Sequence, residues 1–463
     1  MNLLRLLPFS RAGSERLLDI LRASYWFVPG LLMLFAVILA TVLLAIDRAL
    51  ALAEHELPAW LAVASVDSAR SILGTQASSL ITIASLTFSL TVVALTLAAS
   101  QFGPRLIYNF MRDRSTQVVL GVFLGGFVYS LLVLRAIGAV GADGEVPHLA
   151  ILTGLLLSLL SAGVLVYFIH HLAESLQVNT LIARVSEDLS GMIERFFPPA
   201  EDAAATRDER EPPELAWPLA AGRSGTLQAI DLARLSDVVA DADLRLRLHV
   251  RPGDHLLEST ELLRSDVALG TALQARIRSC LLIGRRRTLV QDIEFGFHQL
   301  VEIALRALSP GINDPYTALA CIDELGKALA LVLQRGRLPR TAAVQDGQPR
   351  IWLDSTSFPR IAHAAFDPIR QQGVAHPAVT IRLLETISQL GPVARREEDR
   401  ESLLLQAQLV LETGLPGAPT GHDGEVIRGR YEQACRSVGL AGTGAACDAA
   451  MGGGQRHAGG ESS

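Results

Sequence analysis

Lysine is almost missing from this chain. Of 41 basic residues, Lys327 alone is a lysine. That excludes a Walker A loop, because Gly326-Lys327 is followed by alanine inside a helical pattern. Schiff-base chemistry and lysine-acylated carrier chemistry are confined to the same position. Cysteine is scarce too. Cys280, Cys321, Cys435 and Cys447 all fall in the C-terminal part without metal-ligand spacing, so reduced thiols are expected. There is no HExxH and no paired CxxC, and Gly222-Arg223-Ser224-Gly225 lacks the spacing of a nucleophile elbow. The formal net charge of −6 argues against nucleic acid as a partner. No cofactor, bound metal or catalytic residue is expected.

Charge is absent from four long stretches. Tyr25–Ile46, Ser71–Pro104, Ser115–Leu134 and Leu149–Ile169 hold no Asp, Glu, Lys or Arg. About 20 helical residues cross a hydrocarbon core of about 30 Å, and in lipid the backbone must bond within itself. Each run therefore reads as a transmembrane helix. The mean hydropathy of +0.33 suits a membrane region joined to a water-exposed one. The first run is too long for a signal-peptide core and continues into Ile46-Asp47-Arg48 without a small-residue cleavage site, so it stays as an anchor. Tyr25 and Trp26 at its start, and Tyr167 and Phe168 near the end of the fourth run, fit interfacial aromatic belts.

Arginine sets the expected orientation. Arg5, Arg11, Arg16 and Arg22 precede the first span, and Arg105, Arg112 and Arg114 follow the second. The loop after the first span carries Asp47, Glu54, Glu56 and Asp67 against Arg48 and Arg70. Arg135 after the third lies beside Asp143 and Glu145. By the positive-inside rule both termini lie in the cytoplasm. The expected division is a cytoplasmic segment at 1–23, a four-span domain at 24–170, and an amphipathic helix with an acidic, proline-rich linker at 171–213. A small β unit at 214–265, a mostly helical cytoplasmic region at 266–440 and a disordered tail at 441–463 follow.

Within the C-terminal part, Thr226–Ile230 suits a strand, and Leu244 to Val250 alternates with period two before the Arg251-Pro252-Gly253-Asp254 turn. This segment resembles the hairpins of biotinyl- and lipoyl-type domains in architecture, without their tip lysine. From Asp292 the period becomes helical. Ser309 to Asn313 breaks that helix, and Asp314-Pro315 opens the next with an N-cap and a first-turn proline. More helix is expected over 376–390, 394–412 and 423–438.

Several of these residues also resemble a known family. They include Phe88-Ser89-Leu90, Ala99 to Arg105, Arg112-Asp113 and the glycines from Gly121 to Gly126. Further along they include Arg287-Thr288, Gln291-Asp292, Phe295-Gly296 and Ala307 to Pro315. The pattern, over roughly 20–435, is similar to a bacterial membrane-protein family known as domain of unknown function 2254. The resemblance implies a bacterial cytoplasmic (inner) membrane location and supplies no activity.

The second span is the most polar. Thr75, Ser78, Thr82, Ser85, Ser89, Thr96 and Ser100 recur at three- or four-residue steps, apart from a gap around Val92, and form a hydroxyl stripe along one side of a helix. Such a stripe either packs against a neighbouring helix or lines a wet pathway in an oligomer. No carboxylate or lysine lies within a span, which disfavours a proton relay. Gly121, Gly125 and Gly126 form a small-residue surface for close helix contact. Arg285, Arg286 and Arg287 precede a helix and are candidates for a small anionic ligand or anionic lipid, with a solvated turn as the commoner alternative. Glu294, His298, Glu302 and Arg306 share a helix face, where a surface salt-bridge stripe is favoured over a metal site. His170, His171 and Glu174 suit an interfacial position.

The leading expectation is a homo-oligomeric channel or transport-like protein in the lipid bilayer, regulated by its cytoplasmic domain. A membrane-anchored sensor or assembly scaffold follows, and a membrane enzyme comes third.

Overall fold

A computed structural model describes residues 26–52, 66–102, 113–139, 147–175, 177–199, 213–335, 337–338, 340–345 and 348–439. The N-terminal arginines, the loop with Arg105 and Arg112, most of the acidic linker and the tail lie outside the described residues. The chain separates into two compact units, divided between Thr180 and Leu181.

The N-terminal unit consists of four helices: α1 (Phe27–Leu52), α2 (Val66–Phe102), α3 (Arg114–Ala139) and α4 (His148–Ser175). All four are long and apolar enough to cross a membrane. Their outer surface is greasy. Leu31, Leu34, Phe35, Ile38 and Val42 of α1 and Leu155, Leu156, Leu159 and Val166 of α4 are exposed, the reverse of a water-soluble bundle. At 1.5 Å per residue the 37-residue α2 is about 55 Å long, well beyond a hydrocarbon core.

Helix α3 is central and packs on the other three. Small residues bring α1 close: Ala36 and Ala40 are buried against a cluster holding Tyr129, Val133 and Ile137. A second cluster joins Leu80 and Ala84 of α2 to Phe123 of α3 and Phe168 of α4.

The C-terminal unit is α+β. Its strands are β1 (Trp217–Ala220), β2 (Gly225–Ile230), β3 (Leu246–Leu248), β4 (His255–Leu256), β5 (Glu261–Ser265), β6 (Leu281–Gly284), β7 (Thr341–Gln345) and β8 (Gln348–Trp352). They form a five-stranded sheet of order β1-β5-β3-β8-β7 and a three-stranded sheet of order β4-β2-β6. The β3–β8 pair is parallel and the others antiparallel. Two short helices, α6 (Leu232–Asp241) and α7 (Thr271–Ser279), belong with the sheets. Leu227, Leu235, Leu246, Leu248, Leu263 and Ile351 meet in their shared core.

The β structure therefore extends past residue 265. Strands β6, β7 and β8 come from sequence read as mostly helical: each is short, β6 pairs back to β2 and β8 to β3 far along the chain, and β7 pairs only with the neighbouring β8. The alternation from Leu244 to Val250 is real in burial, yet only Leu246–Leu248 pairs as a strand. Strands β3 and β4, on either side of the Arg251–Asp254 turn, lie in different sheets. They do not form a biotinyl-type hairpin.

The helical layer contains α5 (Val178–Phe196), α8 (Ile293–Ala307), α9 (Pro315–Gln334), α10 (Phe358–Gln372), α11 (Pro377–Leu390), α12 (Glu397–Gly414) and α13 (Gly421–Gly439). Asp292 and Asp314 cap α8 and α9, accepting from the Phe295 and Thr317 amides at 3.0 and 3.2 Å. Asn313 sits at φ 50°, a left-handed turn conformation that asparagine tolerates. Helix α10 was hidden in the sequence by Pro359 and Pro368; the first falls in the opening turn, where no intrahelical N–H is needed.

Helix α5 is built into this unit. Its apolar face of Leu181, Val185, Leu189 and Ile193 is buried, with Leu189 against Gly296 of α8. A Cβ at Gly296 would stand 2.7 Å from Leu189 Cδ1, so a larger residue there would force the Leu189 side chain to turn. Ser186 donates to Glu324 of α9, which also pairs with Lys327 at 3.1 Å.

Candidate functional site

Inside the four-helix unit, polar groups tie helices together at both ends. Asp47, in the last turns of α1, accepts from the Leu149 and Ala150 amides at 3.0 and 2.9 Å and so caps α4. The Tyr129 hydroxyl donates to the Ala150 carbonyl at 2.7 Å, and Gln76 of α2 donates to the Gly154 carbonyl at 2.7 Å. At the other end, Asp113 stands before α3 and binds His171 Nε2 of α4 at 2.7 Å. Thr116 Oγ1 donates to the same carboxylate at 2.8 Å. Tyr167 stacks on the His171 ring and donates to Ser115 Oγ at 3.2 Å. Asp47 and His171, a loop residue and an interfacial one by their sequence positions, are each half of a pair between helices. His170 is exposed and 4.0 Å from Glu174.

Gly121 and Gly125 stand against α1, where added Cβ atoms would lie 2.5 Å from Leu32 Cδ1 and 3.2 Å from the Leu32 carbonyl oxygen respectively. Gly126 turns to α2, with Leu80 Cδ1 at 3.0 Å from its would-be Cβ.

The hydroxyl stripe lies elsewhere. Thr75, Ser78, Thr82, Ser85, Ser89, Thr96 and Ser100 are all exposed on the outer side of α2. The face of α2 that packs on its own bundle is a different one, made of Leu73, Ala77, Leu80, Ala84, Ala94 and Ala98. Thr82 and Thr96 return their hydroxyls to the carbonyls of Ser78 and Val92 at 2.7 and 2.9 Å, and Ser100 does so to Leu97 at 2.8 Å. A second polar set, not picked out from sequence, is buried inside the bundle: Gln76, Thr87, Gln117, Ser130 and Ser161.

In the C-terminal unit the arginine triplet divides. Arg285 and Arg286 are exposed. Arg287 forks onto Asp292, with Nε to Oδ2 at 2.6 Å and Nη2 to Oδ1 at 2.8 Å. Its Nη1 lies 3.1 Å from His298 Nδ1, and its guanidinium stands 5.5 Å from the centre of the Phe295 ring. Burial opposes the charge on Arg287, but Asp292 outweighs it and holds the group more firmly protonated than usual. Gly253, at φ 100°, completes the cluster; a Cβ there would meet Asp292 Oδ2 at 2.5 Å.

The Glu294–Arg306 face is not a surface stripe. Glu294 is buried and paired with Arg360 of α10, while His298 is engaged by Arg287.

Four membrane-length helices with an apolar outer surface, followed by an α+β unit, are now matched by comparison with known sequences. The model of a predicted membrane protein family, DUF2254, matches residues 22–389. The chain belongs to that family. An uncharacterized protein of Mycobacterium tuberculosis, Rv1290c, is 32% identical over 383 residues, covering 81% of this chain and 74% of the relative. The uncharacterized protein Mb1321c of Mycobacterium bovis matches to the same extent. No solved structure matches. The protein is thus a multi-pass membrane member of the DUF2254 family.

Cys280, Cys321 and Cys435 of this DUF2254 protein are buried and carry no disulfide. Burial pushes the Cys280 and Cys321 thiols up, away from the reactive thiolate. With Cys447, outside the described residues, replaced by serine, the native protein should therefore resist a maleimide reagent, and three thiols should label only after denaturation. Rapid native labelling would show that the C-terminal core opens readily.

Proposed function

We propose that this protein assembles as a homo-oligomer through the outer face of α2 and that the hydroxyl stripe borders a solute pathway between copies. The observation that carries the reading is the exposure of all seven stripe residues on the protomer. Thr75, Thr82, Ser89 and Thr96 are seven residues apart, with Ser78 and Ser85 filling the alternate positions of the same seam. A 3.5-residue repeat is the period of left-handed helix pairing, and small hydroxyl side chains let membrane helices approach closely. Hydroxyls at such a seam can also replace part of the hydration shell of a passing ion. Helix α5, docked on α8 and α9, follows the fourth span after only two residues, Leu176 and Gln177, which supplies a covalent route for regulation.

Purified protein in liposomes tests this. Ser85→Cys should cross-link between copies on oxidation, and Ser85→Leu should abolish ion flux while leaving protomer stability within about 0.5 kcal/mol, as for an exposed site. Cross-linking with no flux at any voltage or ion gradient would remove the pathway and leave a scaffold. That second reading draws on the hydroxyls of Thr82, Thr96 and Ser100, which are satisfied within their own helix and need no water.

Both termini are placed in the cytoplasm of a bacterial inner membrane by this reading, on the arginine asymmetry. Cysteines introduced at 50–65 should label from outside intact cells and those at 105–114 should not. The opposite pattern would invert the topology.

A further inference from the structure

The C-terminal unit contains a shallow, open pocket, walled by the end of α9, the turn before α10 and the start of α12. Three arginines line it, Arg337, Arg340 and Arg396, together with the hydroxyl residues Ser355, Thr356 and Ser357 and two carboxylates, Glu398 and Asp399. Val332 and Phe358 add apolar wall.

Its charges are unevenly matched. Arg337 is bound to Glu398. Arg396 stands 3.5 Å from Asp399 and also donates to the Arg335 carbonyl at 3.1 Å. Arg340 is exposed and, among the described residues, has no ion pair and no side-chain hydrogen bond. Both carboxylates thus have a guanidinium, and one guanidinium is left over. Asp399 is only 3% exposed, and burial pushes its carboxyl up even with Arg396 and Arg337 beside it. Ser357 occupies the N-cap of α10, yet its side chain makes no capping bond. The pocket therefore collects donors (guanidinium and hydroxyl) from three chain segments, with both lining carboxylates already facing an arginine.

We propose that this pocket binds a phosphate-bearing ligand, with Arg340 as the primary charge contact, Arg396 beside it and the hydroxyls of Ser355 to Ser357 completing the shell. Guanidinium forks suit phosphate oxygens, and donors arriving from several directions suit a tetrahedral anion better than a planar carboxylate. The phosphate belongs either to a free anion or to a lipid headgroup; the chemistry of recognition is the same. The inference does not depend on the pathway reading, since binding is measured without any flux.

The full chain in detergent, titrated with inorganic phosphate and pyrophosphate by calorimetry, supplies one arm. The full chain in nanodiscs of phosphatidylcholine, with and without phosphatidylglycerol, read by thermal unfolding, supplies the other. Saturable binding is expected in at least one arm, and Arg340→Ala should weaken it by about tenfold or more, as for loss of one charge-assisted contact. Glu398→Gln, which releases Arg337 from its partner, should tighten it. Arg276→Ala, at an exposed arginine outside the pocket, should leave it unchanged. Binding in the soluble arm assigns a free phosphate; stabilisation confined to phosphatidylglycerol and lost in Arg340→Ala assigns a headgroup. No saturable response in either arm, or a response equal in wild type and Arg340→Ala, overturns the proposal.

Discussion

Arg287→Ala lowers the stability of the C-terminal unit by about 3–5 kcal/mol, the range for breaking one partner out of a buried ion pair. Asp292 is 2% exposed and spends both carboxylate oxygens on Arg287 while also capping α8. Without the guanidinium the carboxylate stays buried with only the cap amide, and desolvation is no longer offset. Arg287→Lys recovers part of the loss, because an ammonium restores charge without the two-pronged geometry. Arg285→Ala and Arg286→Ala, at exposed neighbours, change stability by about 0.5 kcal/mol or less. Urea titration of the detergent-solubilised protein, followed by hydrogen exchange of the α8 amides, measures all four. Equal effects at the three arginines would show that the Arg287–Asp292 fork is not what holds α8 to the turn at Gly253.

Gly121→Leu disrupts the four-helix unit. A Cβ alone would lie 2.5 Å from Leu32 Cδ1 and 3.1 Å from Pro29 Cα, and the second contact is backbone that cannot rotate away. Overpacking of this kind costs about 1–3 kcal/mol, with α1 pushed off α3. Gly163→Leu provides the comparison. Gly163 is exposed on α4 and its Cβ would meet nothing within 4 Å, so lipid simply accommodates the larger side chain. Thermal unfolding in a mild detergent should separate the two variants clearly. Similar melting temperatures would mean that α1 and α3 are held by something other than their close approach at Gly121.

The two variants touch different kinds of information. The spans were legible because lipid leaves the backbone one solution: an uncharged run of sufficient length becomes a helix, and α1 to α4 occupy the four runs. The aspartate caps at Asp292 and Asp314 were equally local, since an N-cap side chain bonds an amide three residues on. In the same way the apolar faces of α8 and α9 could be read from their period.

Pairing over distance was not legible. Strand β3 joins β8 across about a hundred residues, and nothing in Leu246 or Ile351 alone names the other. The same holds for Asp113 with His171 and for the Arg337, Arg340 and Arg396 pocket, whose members are separated by loops and helices. Arg285, Arg286 and Arg287 are consecutive and chemically identical in sequence; only the position of Asp292 decided that one is a buried structural group and two are exposed. The hydroxyl stripe shows the division most plainly. Its existence on one side of α2 follows from residue spacing and helical geometry. That it faces away from α3 and α4 was decided by the better packing of Leu73, Leu80 and the alanines on the opposite side. Helical period specifies which residues share a face, whereas the competition between faces for neighbours is settled only when the helices meet.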